Sequence, residues 1–150
     1  MSVIVSDRRT LIVGLGKTGL SCVRYLSEQG RDIAVADSRQ NPPGLDELKA
    51  NWPDVPVHLG RFDADYFATF NELVVSPGIS IAEPPIADAA RKGALIRGDI
   101  DLFAEAADAP IVAITGSNGK TTVTTLLGEM AKAAGRKVEV GGNIGTPALD

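Results

Sequence analysis

Residues 10–37 read TLIVGLGKTGLSCVRYLSEQGRDIAVAD. Thr10, Leu11, Ile12 and Val13 make a short apolar run, followed by a Gly-x-Gly-x-x-Gly turn at Gly14, Gly16 and Gly19. The pattern then predicts a helix to about Gln29 with Gly30 as its stop, since the residue past a helix end often takes positive φ. A second apolar run, Ile33, Ala34, Val35 and Ala36, closes on Asp37. Strand, glycine turn, helix and strand, with an acid about 20 residues beyond the glycines, is the order of a Rossmann-like unit. Such a unit seats a phosphate on its first helix, where free amides and the helix dipole favour an anion. The plain alternative is a packing turn that binds nothing, and the flanking strands and the placed acid favour binding. Gly16-Lys17-Thr18 also imitates the end of a phosphate loop. That pattern asks for a glycine five residues before Gly16, where Leu11 stands, so the tripeptide belongs to the first fingerprint.

The alternation continues. Asn41-Pro42-Pro43-Gly44 reads as a turn and residues 45–52 as a short helix with Pro53 beyond it. Residues 55–59 read as a third strand carrying His58, a polar strand position with no assigned role. Glu72-Leu73-Val74-Val75 is a fourth strand running into Ser76-Pro77-Gly78-Ile79. Residues 86–92 are helical with Gly93 as the stop, and Leu95-Ile96 is a short fifth strand. Gly98-Asp99-Ile100-Asp101 opens another helix, with Asp99 able to cap it and Asp101 to complement its dipole. Ligands of open α/β sheets sit outside the carboxyl ends of the strands. Ser76, Pro77 and Gly78 therefore share a rim with the first glycine turn and Asp37.

Residues 110–134, PIVAITGSNGKTTVTTLLGEMAKAA, restart the pattern with an apolar run at 111–114, a glycine turn and Lys120-Thr121-Thr122. Val123, Leu126, Leu127, Met130, Ala131 and Ala134 then recur at the spacing of one helix face, with Gly135 as the stop. A buried strand, a glycine turn and a helix N-terminus make a phosphate cradle. Lys120 is placed to reach terminal phosphates and the Thr121 hydroxyl to sit on magnesium. The strict phosphate-loop pattern wants glycine where Ile114 stands, and Gly116 and Gly119 take its place. A chance Gly-Lys-Thr in a tight turn is the plain alternative, and the order of elements favours an ATP site.

The restart puts a boundary near residues 107–110, dividing the chain into units 1–108 and 109–150. Residues 137–140 read as a strand, and Thr146-Pro147 after the Gly141-Gly142-Asn143-Ile144-Gly145 turn as a helix start. A helix cut within one turn cannot stabilise itself. The expectation is a fragment with an incomplete second unit, whose open sheet edge invites pairing with another chain.

At 150 residues with 44% hydrophobic content the chain can bury an ordinary core. A net charge of −4 leaves no basic footprint, so nucleic acid is not an expected partner. No apolar stretch approaches the ~20 residues that span a bilayer. No basic-then-apolar signal opens the chain, so a cytoplasmic location is expected. Cys22, the single cysteine, excludes an intrachain disulfide framework and reads as a small buried hydrophobe. No metal-ligand spacing occurs.

In chain order GLGKTG, ADSR, VVSPGI, GDIDLF, APIVAITGSNGKTT and VGGNIG span the whole sequence. Together they resemble the Mur ligases of peptidoglycan precursor synthesis, and VGGNIG with VVSPGI resembles the D-glutamate-adding members. Family ATP loops read Thr-Gly-x-Asn-Gly-Lys and then Ser or Thr, which accounts for Ile114. The resemblance implies that the first unit binds the UDP of UDP-N-acetylmuramoyl-L-alanine rather than NAD. Leu15, Gly16, Lys17 and Thr18 are then expected along the diphosphate. Asp37, Ser38 and Arg39 are expected at the uridine, with Ser76, Pro77 and Gly78 opposite and Asn143 at the muramoyl part. ATP is expected on Gly116, Ser117, Asn118, Gly119, Lys120, Thr121 and Thr122, with Lys120 and Thr121 catalytic and Thr121 on Mg2+. The implied reaction is ATP-dependent amide formation with D-glutamate through an acyl phosphate, with no obligate protein partner. The family's other metal ligands, catalytic histidine and modified lysine have no counterpart in this sequence, so the expectation is substrate binding without turnover. Two other readings stay open: an NAD(P)-binding oxidoreductase domain resting on Gly14, Gly16, Gly19 and Asp37, and a non-catalytic nucleotide-binding module.

Overall fold

The computed structural model describes residues 8–150. Five strands, β1 (Thr10–Val13), β2 (Ile33–Asp37), β3 (Val57–Leu59), β4 (Glu72–Val75) and β5 (Leu95–Arg97), form one sheet in the order β3-β2-β1-β4-β5. Every pairing is parallel. Helices α1 (Lys17–Glu28), α2 (Leu45–Asn51), α3 (Ala64–Phe67), α4 (Pro84–Arg91) and α5 (Asp99–Ala106) fill the connections, and α6 (Lys120–Ala133) follows. The expected strands and helices of the first unit are all present, with ends shifted by a few residues. The four-residue α3 carries too little pattern to be read from sequence; the Asp63 carboxylate caps it, accepting from the Asp65 and Tyr66 amides. At α5 the cap differs from expectation. Gly98 is the N-cap and the Asp101 carboxylate accepts from its N–H at 2.7 Å, while Asp99 is buried within the helix.

The strand period of two sorts the core into two layers. Ile12, Ile33, Val35 and Val74 pack with Cys22, Val23 and Leu26 of α1, Leu45 and Leu48 of α2, and Leu102 of α5. Leu11, Val13, Ala34, Ala36, Leu73 and Val75 pack on the other side with Phe67 of α3, Phe70, and Ile86 and Ala89 of α4. Each fully buried Leu or Ile contributes about 1.5–3 kcal/mol. Burial on both faces explains why the central strands read as continuous apolar runs.

Glu72 heads the apolar run of β4 and is wholly buried. Its carboxylate accepts from Thr10 Oγ1 at 2.9 Å, from Arg31 Nη2, and from Arg97 Nη1 at 3.2 Å. Arg97 also pairs with Glu105 at 2.5 Å. Burial pushes the Glu72 carboxyl up, but the Thr10 hydrogen bond and the Arg31 charge outweigh it and hold it below its ordinary value. This network ties β1, β4, β5 and α5 together around the amino ends of β1 and β4.

The second unit departs from expectation. Neither residues 111–114 nor residues 137–140 form a strand; Ile111, Val112 and Val140 are exposed. A parallel strand needs a neighbour to satisfy its backbone, and neither segment has one among the described residues. The turn at Thr146-Pro147 does not become a helix. Helix α6 forms as expected and Gly135 follows it with φ +76°, but Val123, Leu126, Leu127 and Met130 on its apolar face are exposed.

Candidate functional site

The strand order reverses between β1 and β4, and this switch point is where open α/β sheets hold ligands. The two loops leaving those strands face each other. The Ser76 N–H donates to Val13 O at 2.9 Å, and the Ser76 hydroxyl lies 3.4 Å from Gly14 O. Gly14 has φ +100°, and a Cβ there would stand 2.7 Å from Ser76 Oγ. A Cβ on Gly19 would stand 2.0 Å from Gly14 O, so Gly19 lets α1 pack against the turn. A Cβ on Gly16 would meet nothing within 4 Å. Its open side is the one a ligand can approach.

Gly16 is the N-cap of α1 and no side chain caps the helix. The amides of its first turn, from Lys17 and Thr18, therefore point to the crevice without a side-chain acceptor, the arrangement that takes a phosphate. The Lys17 side chain is exposed beside them. Leu15 contributes otherwise: its side chain is buried in the core and its N–H donates to Asp37 Oδ2 at 2.8 Å.

Asp37, buried at the end of β2, forms the second wall. Arg39 donates to it three times, from its backbone N–H at 2.9 Å, Nε at 2.8 Å and Nη2 at 2.7 Å. Burial raises the Asp37 carboxyl, but the Arg39 hydrogen bonds and the Leu15 N–H outweigh burial and hold it below the usual carboxylate range. A carboxylate with four donors has its lone pairs taken. In this arrangement Asp37 has no free acceptor for a ligand's ribose and instead holds the Arg39 guanidinium in place. Ser38, Pro77 and Gly78 are exposed around the rim.

The second glycine turn is also built as expected at its helix end. Gly119 is the N-cap of α6 at φ +76°, a left-handed conformation that favours glycine. No side chain caps this helix, and the Lys120 ammonium folds back onto Gly116 O. Ser117, Asn118, Thr121 and Thr122 are exposed. The uncapped amides and Lys120 fit phosphate groups, and Thr121 offers one hydroxyl to a metal. No group of three His, Cys, Asp or Glu side chains that could hold a metal occurs among the described residues.

Asn143 lies in the turn after residue 140, next to Gly142, whose Cβ position stands 4.0 Å from Ile100 Cδ1. Because β5 is parallel to β1, the start of α5, and with it this turn, lies on the same rim as the first glycine turn. Cys22 is buried, and burial with the charges of Asp99 and Asp150 pushes its thiol up to about 12. It is no nucleophile. His58 stacks on Tyr66 with ring centroids 4.8 Å apart.

The family model described as Mur ligase MurD-like, N-terminal domain, matches residues 8–98. The chain belongs to that family. Its similarity to a UDP-N-acetylmuramoylalanine--D-glutamate ligase of Marinobacter nauticus is 85% identity over all 150 residues, which are 34% of that protein. A ligase of the same description from Pseudomonas aeruginosa is 58% identical over the same span, again 34% of its length. The chain of this Mur ligase family member thus spans about a third of the curated relatives it matches. Among solved structures, a pseudomurein peptide ligase type C from Methanothermus fervidus aligns with TM-score 0.56 and 24% identity, covering 86% of this chain and 27% of that one. That likeness concerns the fold.

Neither the buried Glu72 network nor the contact of Asp150 with α1 was anticipated from sequence. A lone glutamate at the head of an apolar strand was the only signal of the first. The second carried none.

Proposed function

We propose that residues 1–108 form the UDP-binding part of an ATP-dependent, cytoplasmic ligase that adds D-glutamate to UDP-N-acetylmuramoyl-L-alanine. The observation that carries this reading is the crevice at the β1/β4 switch point. It joins an open glycine, uncapped helix amides and the Arg39 guanidinium held on Asp37. The amides of Lys17 and Thr18, with the Lys17 ammonium, face the diphosphate beside Leu15 and Gly16; Ser38 and Arg39, the latter held in place by Asp37, face the uridine; Ser76, Pro77 and Gly78 close the opposite side; Asn143 meets the muramoyl part.

Residues 109–150 then begin the ATP-binding unit. The turn at Gly116, Ser117, Asn118 and Gly119 and the first amides of α6 wrap the phosphates. Lys120 supplies positive charge to the γ-phosphoryl group as it is transferred. Magnesium, with Thr121 as one ligand, would neutralise charge on the phosphates. The substrate carboxylate attacks the γ-phosphorus and ADP leaves, giving an acyl phosphate. The D-glutamate amine attacks the acyl carbon, and phosphate leaves with formation of the amide. The strands expected beside the ATP turn are not formed, which fits a lack of turnover by these 150 residues.

The test is amide formation from UDP-N-acetylmuramoyl-L-alanine, D-glutamate and ATP. A protein of the relatives' length that carries this sequence should form the amide and release phosphate only when all three are present. The 150-residue chain should form none. Product from the short chain, or phosphate release by the long one without D-glutamate, contradicts the proposal.

A further inference from the structure

The segment after the Asn143 turn packs against α1. Leu149 packs against the core layer that holds Cys22, Val23 and Leu26 of α1 and Leu102 of α5. Beside it the Asp150 carboxylate accepts from Ser21 Oγ at 2.5 Å and from Arg24 Nη2. The Arg24 side chain is 41% exposed and that of Asp150 25%. Arg24 is on α1, whose own N-terminus opens the crevice. The turn containing Gly142 and Asn143 is closed on itself by the Gly142 N–H, which donates to Thr146 O at 2.9 Å, and a Cβ on Gly142 would stand 4.0 Å from Ile100 Cδ1 at the start of α5.

From this arrangement we infer that Arg24, Ser21 and Asp150 form a clasp that positions the Asn143 turn over the substrate crevice. None of the three lies on the rim, so each acts through the turn. Leu149 supplies apolar adhesion without direction. The charged pair supplies the register, because a carboxylate shared by a guanidinium and a hydroxyl fixes where the segment lies along α1. The ligand class follows from the reading above, on which this inference rests. The clasp should matter for a nucleoside diphosphate carrying a sugar acid that reaches Asn143, and not for the bare nucleoside diphosphate.

The test uses the 150-residue chain with UDP and UDP-N-acetylmuramoyl-L-alanine as probes in calorimetry. Arg24→Ala should leave the melting temperature and UDP affinity unchanged. It should weaken the muramoyl ligand about threefold to fivefold, the scale of a part-exposed ion pair. Exchanging the charges, Arg24→Asp with Asp150→Arg, should recover most of that loss. Without ligand, Arg24→Ala should also shift the amide resonances of Gly142 and Asn143. Equal weakening of both ligands, no weakening of either, or unmoved Gly142 and Asn143 resonances overturns the clasp. Failure of the unaltered chain to bind UDP at all counts instead against the proposed function, and the resonances still decide the clasp.

Discussion

The Arg39 guanidinium closes on the Asp37 carboxylate through Nε to Oδ1 at 2.8 Å and Nη2 to Oδ2 at 2.7 Å, while the Leu15 N–H holds the same Oδ2 from the glycine turn. One buried carboxylate thus joins the two walls of the crevice. Asp37→Asn removes its charge and turns one of its oxygens into a donor. A hydrogen bond to a charged group is worth about 1.5–3 kcal/mol, and Arg39 is half-exposed and can rehydrate, so the loss should be about 1–2 kcal/mol. Urea melts measure it, and UDP binding should weaken in the same variant.

Glu72 gives the sharper stability prediction. Removing its charge leaves Arg31 and Arg97 beside a buried site, and breaking a buried pair typically costs about 3–5 kcal/mol. Arg31 keeps some access to water, so Glu72→Gln should fall near 3 kcal/mol in denaturant melts.

Both acids also set the acid limit. An ordinary glutamate titrates near 4.5 and an ordinary aspartate near 3.8, and both groups lie lower in the folded chain. Their contribution is complete above those values and is lost as pH falls through the lower folded ones. Stability should therefore drop below about pH 4.5, and Glu72→Gln should flatten that part of the pH profile.

The glycine turn separates packing from binding. Gly19→Ala forces a Cβ toward the Gly14 carbonyl and should cost about 1–3 kcal/mol as an overpacked contact. Gly16→Ala meets open space, so its melting temperature should barely change while UDP affinity falls. Thermal melts and calorimetry on the two variants check the contrast.

The two units should respond differently to core-type substitutions. Leu26→Ala empties a buried site on α1 and should cost about 2–5 kcal/mol. Leu126→Gln on α6 alters a side chain that is 59% exposed and should stay within about 0.5 kcal/mol in the same urea melts.

How much could be read from the sequence depended on where the relevant interaction lies. The strands at Thr10, Ile33 and Glu72 and the helix after Lys17 were readable because local apolar runs, glycines and an acid at fixed spacing state them directly. The apolar run from Ile111 to Ile114 has the same composition, yet it does not pair. Composition signals a wish for burial and says nothing about whether a neighbouring strand exists. Asp37 was visible as the acid of a fingerprint, but its saturation by Arg39 and Leu15 is a matter of side-chain geometry. The contact of Arg24 with Asp150 joins positions 126 residues apart, and no local pattern encodes it.

The central claim is that the crevice between β1 and β4 binds the UDP moiety. A titration of the isotopically labelled chain with UDP, and separately with NADH, followed through backbone amide resonances, tests it most directly. UDP should shift the amides of Gly14, Gly16, Lys17, Thr18, Ser38, Arg39, Ser76 and Gly78, and NADH should leave them in place. Shifts with NADH and none with UDP, or UDP shifts confined to Gly116, Gly119 and Lys120, would contradict the account.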